Sequence, residues 1–194
     1  MMKTIDALFH RLYLWNQWRQ GHAKRHKDPT FRLEVYIREF KSREPYLPSG
    51  QILSLGPRNG IELDALEAAF GRKVVGVDLF SLDPRIKVAD MHEMPFEDNT
   101  FALVWASHVL EHARRPALVM SEIARVLKPQ GALFFAYPDN PHPTWHDPQK
   151  YGAPENVVAY FPKWARVTPF YSARRADSEW LGAVRILKDG IESQ

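Results

Sequence analysis

The sequence predicts an α/β protein: a Rossmann-like, doubly wound and mostly parallel sheet that follows an N-terminal helical extension. Three observations predict this fold. Short apolar segments alternate with helix-forming segments from residue 51 onward, glycines stand at the first strand–helix turn, and an aspartate stands at the end of each of the next two predicted strands. Strands that alternate with crossover helices form parallel sheets with right-handed connections. We therefore divide the chain into a helical extension over residues 1–48 and a Rossmann-like domain over residues 49–194.

The composition is that of a globular protein that buries a core. Of the 194 residues, 45% are hydrophobic and 25% are charged, and there is no cysteine. Both fractions are ordinary for a soluble domain. No apolar run approaches the ~18 residues that span a bilayer, and the N-terminus lacks the pattern of a secretory signal. The absence of cysteine excludes disulfides, zinc–thiolate sites and a cysteine nucleophile. We expect a cytoplasmic protein.

The positive charge is concentrated at the N-terminus. The net charge is +3, but residues 1–50 hold 10 Lys and Arg against 5 Asp and Glu, whereas the rest of the chain holds 16 against 18. An anionic partner would therefore meet the N-terminal segment.

The N-terminal extension is predicted to form two helices. The first covers residues 4–20 and ends at Gly21, and the second covers residues 31–44 after a cap at Asp28 or Thr30. The apolar face of the first helix is formed by Ile5, Leu8, Phe9, Leu12 and Trp15. We expect this helix to dock on the sheet and act as a lid; a nucleic-acid-binding arm and a membrane-surface helix are the alternatives.

The domain is predicted to contain five successive strands, at residues 51–55, 73–79, 85–91, 101–107 and 131–138. A helix over residues 61–71 follows the first strand. Residues 108–127 are expected to be mostly helical, with a new helix that starts at Pro116. In the segment Lys128–Gly131, Pro129 suits the second position of a type I turn.

The tail is predicted to form a short helix near residues 155–164 and two strands, at residues 166–173 and 180–187. Because Pro169 cannot donate a ladder hydrogen bond, the first of these is expected to be an edge strand or a bulged one.

The ends of the first three strands carry groups suited to a ligand. In an open parallel sheet, ligands bind beyond the carboxyl ends of the strands, where the winding reverses. Gly56 and Gly60 flank the first turn, and glycine lets the backbone approach a ligand. A carboxylate at Asp78 suits ribose hydroxyls, and Asp90 with the amides of Met91 and His92 suits an adenine edge. The first turn lacks the Gly-x-Gly-x-x-Gly pattern of nicotinamide dehydrogenases.

The segments DMHEMPFEDNTFALVWASHVLEH and RVLKPQG resemble the class I S-adenosylmethionine-dependent methyltransferases of the type 11 group, and the resemblance covers roughly residues 51–137. It implies S-adenosylmethionine as cofactor and a cofactor core over residues 51–139. The turn from Gly56 to Gly60 would lie under the methionine end, Asp78 at the ribose, Asp90 at the adenine, and Ser107 with His108 near the sulfonium. The cofactor-binding residues expected in all are Gly56, Arg58, Gly60, Asp78, Leu79, Asp90, Met91, His92 and Ser107.

The chain departs from the family pattern at the methionine end. The family usually has an acidic residue where this chain has Ser54, and its first turn is usually richer in glycine than Pro57–Asn59. Arg58 either pairs with the cofactor carboxylate or crowds the pocket. The link between Asp78 and Asp90 is also too short for the usual helix. A non-catalytic S-adenosylmethionine-binding or interaction protein with a degenerate methyltransferase fold is therefore one alternative.

Methyl transfer requires a general base only if the acceptor arrives protonated. His108 is the first candidate and His112 the second; the alternative for either is a structural hydrogen bond. The segment from His108 to His112 also matches the His-x-x-Glu-His pattern of inverted zinc peptidases. No third ligand is evident at a suitable spacing, so we expect no metal.

The loop after the fifth strand is expected to overhang the site. Its candidate substrate-binding residues are Tyr137, Asp139, His142 and His146, against the alternatives of rigid surface turns and of packing on the C-terminal strands. The sequence predicts a methyltransferase that acts on a small-molecule or sugar-like acceptor. A nucleic-acid methyltransferase that uses the basic N-terminal arm is a further alternative, although a nucleic-acid partner would depend on charge alone. The oligomeric state is not predicted.

Overall fold

Seven strands form one mixed sheet in the described part of the computed structural model, which comprises residues 11–16, 18–19, 22–23, 30–43, 46–57, 59–139, 142–145 and 147–188. The strands are β1 (Gln51–Leu55), β2 (Val74–Asp78), β3 (Ile86–Val88), β4 (Phe101–Ser107), β5 (Leu127–Pro138), β6 (Ala165–Arg174) and β7 (Glu179–Lys188). Their order is β3-β2-β1-β4-β5-β7-β6. The first five pair in parallel, and β7 runs antiparallel to both of its neighbours. This arrangement confirms the predicted fold class.

Helices cover both faces of the sheet. The α-helices are α1 (Thr30–Lys41), α2 (Gly60–Phe70) and α3 (Pro116–Val126), and the 3-10 helices are η1 (Leu110–His112) and η2 (Pro154–Tyr160). Helices α1 and α2 bury Leu33, Phe40 and Leu63 against one face, and α3 buries Met120 and Ile123 against the other. Because both faces are covered, β4 is buried from Phe101 to Ala106, as is typical of a parallel strand in the centre of a sheet.

The turn between β1 and α2 is built from local signals. Asn59 caps α2, since its side-chain oxygen accepts a hydrogen bond from the Ile61 amide at 3.2 Å. Gly71 ends the helix in the left-handed conformation, with φ 62°. The helix therefore occupies residues 60–70, one residue earlier than predicted, while β1 and β4 have the predicted bounds. Neither of the short connections Leu79–Arg85 and Ala89–Thr100 contains a helix.

Two predictions around α3 are wrong in part. Residues 108–115 are not α-helical: His108 has φ 53°, and only η1 forms before α3 starts at Pro116 as predicted. Strand β5 begins at Leu127 rather than at residue 131, because the chain already pairs with Phe101 there. Gln130, the third residue of the expected type I turn, has φ 64°, which is characteristic of a type II turn.

The C-terminal strands confirm the prediction for Pro169. Strand β6 lies at the edge of the sheet, and its register against β7 shifts between Pro169 and Tyr171. The missing amide hydrogen of proline is thus placed where a bulge interrupts the ladder. The short helix predicted at residues 155–164 is the 3-10 helix η2, which is shorter and begins one residue earlier.

The first predicted helix has a different inward face from the one expected. Residues 11–16, 18–19 and 22–23, the N-terminal helical segment, are helical, so helix extends past the expected end at Gly21. Leu12 and Trp15 are exposed, whereas Tyr13 and Asn16 are buried. The reason is that the Tyr13 hydroxyl donates to the His112 carbonyl of η1. Ile5, Leu8 and Phe9 lie outside the described residues, and the domain boundary at residue 48 stays a prediction.

Replacing Gly56 by alanine tests the turn after β1. Gly56 has φ 67°, and a Cβ at this position would lie 2.9 Å from Val109 Cγ2. A left-handed alanine costs about 1–2 kcal/mol, and the steric overlap adds roughly 1–3 kcal/mol. We expect Gly56→Ala to lower the free energy of unfolding, measured with urea, by more than Gly71→Ala. Gly71 is the matched control because it has φ 62° and no atom within 4 Å of the added methyl. Equal losses in the two variants would contradict the contact with Val109.

Candidate functional site at the carboxyl edge of the sheet

The order of the strands reverses between β1 and β4, since β2 and β3 lie on one side of β1 and β5 lies beyond β4. In open α/β sheets this is the point where ligands bind, beyond the carboxyl ends of the strands. Gly56 follows β1 and Val109 follows β4, and the two residues are in close contact. The Gly56 amide also donates to the Val77 carbonyl of β2 at 2.8 Å. The ends of β1, β2 and β4 therefore meet at Gly56.

Gly60 has a packing role that the sequence analysis missed. A Cβ on Gly60 would overlap the carboxylate of Asp83, which forms an ion pair with Arg85 at 2.7 Å. Arg85 also pairs with Asp64 of α2 at 2.7 Å. The second glycine thus lets the loop after β2 pack on the start of α2. A contact between Gly60 and a cofactor stays a prediction, and Arg58 lies outside the described residues.

A buried acid lies beside Ser54, where the sequence analysis noted that the usual acid is missing. The Ser54 hydroxyl donates to Glu62 Oε1, and both side chains are buried. Glu62 lies in the first turn of α2, where the helix dipole favours a negative charge. The sequence analysis did not predict Glu62, because this residue lies in α2, eight residues after Ser54, and not at the end of the strand. The available signal was an acidic residue just inside the helix that follows the turn.

Asp78 ends β2 and is half-buried at the edge of the sheet. Its Oδ1 accepts a hydrogen bond from the Leu79 amide at 2.6 Å, which fixes the orientation of the carboxylate. Leu79 is half-buried beside it. Carboxylate oxygens accept hydrogen bonds from hydroxyl groups, so this side chain suits a sugar diol.

Asp90 and His92 form a network of hydrogen bonds after β3. Asp90 Oδ1 accepts from the His92 amide at 2.9 Å and lies 2.5 Å from His92 Nδ1. The Arg115 amide donates to His92 Nε2 at 3.3 Å. Because Nε2 accepts, Nδ1 carries the proton that Asp90 accepts. The His92 amide, which was expected at an adenine edge, is thus already bonded within the protein, and Met91 packs against the core. The binding roles of all three residues stay predictions.

His108 lies at the end of β4 between two carboxylates. Its Nε2 is 3.2 Å from Glu179 Oε1 and its Nδ1 is 3.6 Å from Glu111 Oε1. Glu179 also accepts from the Tyr36 hydroxyl at 2.5 Å and pairs with Arg32 at 2.7 Å. We call these five residues the β4-end cluster. Ser107, the last residue of β4, is half-buried next to it.

The β4-end cluster holds His108 in its charged form. Burial alone would lower the pKa of His108, but the nearby carboxylates of Glu111 and Glu179 outweigh burial and raise this pKa to about 9. Burial alone would raise the pKa of Glu179, but His108 and Tyr36 hold it at about 2. The raised pKa favours the imidazolium at neutral pH, although the Arg32 guanidinium lies 3.4 Å from Nε2, and an imidazolium has no lone pair with which to act as a general base. Arg32, Tyr36 and Glu179 were not predicted, because α1 and β7 are remote from His108 in sequence.

His112 connects η1 to two neighbouring segments. Its Nδ1 lies 2.8 Å from Asp147 Oδ1, and its carbonyl accepts the Tyr13 hydroxyl. His108, by contrast, precedes η1 and pairs with Glu111 and Glu179, so the two histidines of the zinc-like pattern do not occupy successive turns of one α-helix. Within the described ranges, no group of three or more His, Asp or Glu residues is placed to hold a metal ion.

The candidate substrate residues after β5 have separate positions. Tyr137 is 1% exposed, and its hydroxyl donates to the Gly152 carbonyl at 3.0 Å, so its ring has a packing role and its position does not support a substrate contact. Asp139 pairs with Arg174 of β6 at 2.8 Å, and this hydrogen bond holds the pKa of the Asp139 carboxyl below its usual value. His142 is exposed. His146 lies outside the described residues.

The N-terminal helical segment passes over the carboxyl edge of the sheet. Tyr13 contacts the edge of the Trp145 ring at a centroid distance of 5.6 Å, close to its hydrogen bond with His112. His22 contacts Phe80 at 6.1 Å, and Phe80 follows β2 by two residues. The segment therefore extends from the loop after β2 to the turn after β4, which are the strand ends that carry the candidate site. None of the described helices is long and apolar enough to cross a membrane.

Residues 53–135 match the methyltransferase domain family. The chain is 29% identical over 107 residues to the glycine/sarcosine/dimethylglycine N-methyltransferase of Actinopolyspora halophila. This match covers 47% of this chain and 19% of that protein. It is 32% identical over 127 residues to the ubiquinone biosynthesis O-methyltransferase of Hydrogenovibrio crunogenus. This match covers 57% of this chain and 50% of that protein. The chain thus spans half or less of the length of these two curated relatives.

A solved structure shares the fold. The 1,6-didemethyltoxoflavin-N1-methyltransferase of Burkholderia thailandensis, solved with 1,6-didemethyltoxoflavin and S-adenosylhomocysteine bound, is similar with a TM-score of 0.67 at 16% sequence identity. The match covers 96% of this chain and 90% of that one.

The charge state of His108 predicts how stability depends on pH. The pKa of His108 is raised to about 9 in the folded chain from 6.5. Its contribution is therefore fully present below pH 6.5 and is lost as the pH rises through 9, and it amounts to at most roughly 3 kcal/mol. We expect the free energy of unfolding of the wild type to fall over this interval relative to that of His108→Gln. A wild-type curve parallel to that of His108→Gln would show that the ring is not held in its charged form.

Proposed function

We propose that this chain, which carries a class I S-adenosylmethionine-dependent methyltransferase domain of the type 11 group, transfers a methyl group to a small-molecule acceptor. The observation that carries the proposal is the coincidence of the matched region with the site. Residues 53–135 contain the reversal point of the sheet and the carboxylates that follow β2 and β3. S-adenosylmethionine, the cofactor of this domain, supplies a methyl group that its sulfonium has already activated.

The carboxyl edge offers groups for each part of the cofactor. Asp78, fixed by the Leu79 amide, would accept the ribose hydroxyls. Asp90, fixed by His92, would contribute to the adenine end. Gly56 would let the backbone approach the ligand where β1 meets β4, since its left-handed conformation leaves no side chain there.

Glu62 would supply the acid at the methionine end. Its carboxylate is held by the Ser54 hydroxyl beneath the turn that leads into α2, and the amino group of the methionine moiety is a cation. An acid in the first turn of α2 thus compensates for the serine at the end of β1. This placement supports cofactor binding despite the altered turn, rather than a degenerate site.

The charge of His108 restricts the chemistry of the acceptor. Because the ring is an imidazolium at neutral pH, His108 would position the turn after β4 rather than remove a proton. The acceptor would then present a nucleophile that carries a lone pair without help from His108, such as a weakly basic amine that is neutral at pH 7 or an acid that is already ionised. Small acceptors are also supported by the relatives, which are named for glycine, sarcosine and dimethylglycine and for ubiquinone biosynthesis.

Binding without turnover is the second candidate, favoured by the serine at position 54 and by the lack of a free base at His108. The two candidates differ in one product. A methyltransferase releases S-adenosylhomocysteine in the presence of an acceptor, whereas a binding protein does not. Release of S-adenosylhomocysteine, measured with a panel of small amines, carboxylic acids and phenols and with a polynucleotide as a further test acceptor, would decide between them. The cytoplasmic location stays a prediction.

Calorimetry with S-adenosylmethionine and S-adenosylhomocysteine tests the cofactor site. We expect both compounds to bind the wild type, and Asp78→Ala to weaken both by roughly 10–100-fold, since a hydrogen bond to a charged group contributes about 1.5–3 kcal/mol. Asp98→Ala is the control, because Asp98 is an exposed carboxylate whose ion pair with Arg125 lies away from the carboxyl edge. If neither compound binds the wild type at millimolar concentration, or if Asp78→Ala binds normally, the proposed site is wrong.

Glu62→Gln separates the methionine end from the adenosine end. The change keeps the shape and removes the charge, so we expect about tenfold weaker binding of S-adenosylmethionine. Binding of 5′-methylthioadenosine, which lacks the amino acid part, should stay unchanged, whereas Asp78→Ala should weaken both ligands. Thermal unfolding of each variant checks that the fold is intact. Equal weakening of both ligands by Glu62→Gln would assign Glu62 a purely structural role.

A further inference from the structure

The N-terminal helical segment exposes large apolar side chains on its outer side. Tyr13 and Asn16, one helical turn apart, are 3% and 8% exposed and define the inner side. Trp15 and Trp18, also one turn apart, are 60% and 40% exposed, and Leu12 is 48% exposed. Side chains three and four residues apart share a helix face, so Trp15 and Trp18 lie on one face, opposite the inner side. One side of the Trp18 ring stacks on His22 at a centroid distance of 5.1 Å, and the rest of this ring is exposed.

Basic residues flank these tryptophans. Arg11 and Arg19 are exposed four residues to either side of Trp15, and the Arg19 guanidinium lies 5.7 Å from the centre of the Trp15 ring. We call Arg11, Leu12, Trp15, Trp18 and Arg19 the outer face. The sequence contains no Asp or Glu between Asp6 and Asp28, and it contains five Lys and Arg in this interval. The outer face therefore combines indole rings with an uninterrupted positive charge.

Such a face fits the headgroup region of an anionic bilayer. Indole rings are amphipathic and favour the boundary between water and hydrocarbon. Arginine places its stem along apolar surface and its charge among phosphates. A helix with tryptophan and leucine beside basic residues lies in the plane of the interface, and anionic lipids strengthen its binding.

We propose that the outer face docks the chain on the surface of an anionic membrane. The partner is a bilayer rather than a polynucleotide, because Leu12 is exposed beside the two indole rings, and a leucine side chain gains from contact with hydrocarbon but not from phosphates or stacked bases. The inner side of the same segment contacts His112 and Phe80 at the carboxyl edge of the sheet. Docking would therefore bring the candidate site next to the lipid headgroups, where amphipathic acceptors concentrate. The docking itself does not depend on the proposed function.

Sedimentation of the full chain with lipid vesicles tests the proposal. We expect binding to vesicles of phosphatidylcholine and phosphatidylglycerol at 3:1, weaker binding to pure phosphatidylcholine, and a decrease at high salt. The double variant Trp15→Ser/Trp18→Ser should lower the partition coefficient at least tenfold. Arg11→Glu/Arg19→Glu should lower it by a similar factor and remove most of the salt dependence.

The opposite edge of the sheet provides matched controls. Trp164 is 49% exposed and Arg166 is also exposed, and both lie where β6 starts, at the amino edge of the parallel strands. Trp164→Ser and Arg166→Glu should bind vesicles like the wild type. Circular dichroism and thermal unfolding check that all variants fold, and if the double tryptophan variant unfolds, the arginine variant decides.

Three results would overturn the proposal. The first is absence of binding to the anionic vesicles, and the second is an equal loss of binding in the control variants. The third is a different partner for the outer face: a polynucleotide bound more tightly than the vesicles, or self-association in ultracentrifugation that the tryptophan changes abolish. S-adenosylmethionine affinity, measured in the same variants without lipid, should be unchanged. A failure of vesicle binding is therefore distinct from a failure of the cofactor site.

Discussion

The imidazolium of His108 joins three parts of the chain that are far apart in sequence. It pairs with Glu111 of η1 and with Glu179 at the start of β7, and Glu179 is also bound by Arg32 and Tyr36 of α1. The end of β4, where the methyl acceptor is expected, is thus fixed by charges from both ends of the chain. Glu179 is a buried carboxylate of this network, and removing a partner from a buried charge costs more than replacing the whole pair. The network therefore limits the role that His108 can have in the site, because its two ring nitrogens face carboxylates.

The carboxylates around His108 change the catalytic role inferred for this histidine. A histidine after the fourth strand suggests a general base, but two carboxylates keep it protonated at neutral pH. Methyl transfer does not require a base if the acceptor already carries its lone pair, so the protein has mainly to align the two reactants and exclude water. The contacts of Tyr13 and His22 over the strand ends fit this second task. The outer face of the same segment, with Trp15 and Trp18, is exposed on the surface above the candidate site.

Local signals made much of the fold predictable. The bounds of β1 and β4 follow from apolar runs that end at turn residues, Pro116 starts α3 and Pro169 interrupts an edge strand. The contacts of the candidate site were less predictable because they are non-local. Glu179 reaches His108 only after β7 inserts beside β5, and Glu62 meets the Ser54 hydroxyl only when α2 folds over β1. The inner side of the first helix was mispredicted because contacts of Tyr13 and His22 with His112, Trp145 and Phe80, rather than apolar periodicity, orient the segment.

The charge of His108 can be measured directly by nuclear magnetic resonance of the histidine rings, with the His108 signals assigned by comparison with His108→Gln. The ring nitrogen and Cε1 shifts, followed from pH 5 to 10, give its pKa in the folded chain. We predict a pKa near 9 and a doubly protonated ring at pH 7, a form in which His108 cannot act as the base for methyl transfer. A pKa near 6.5, with a neutral ring at pH 7, would contradict this prediction and return His108 to the role of general base.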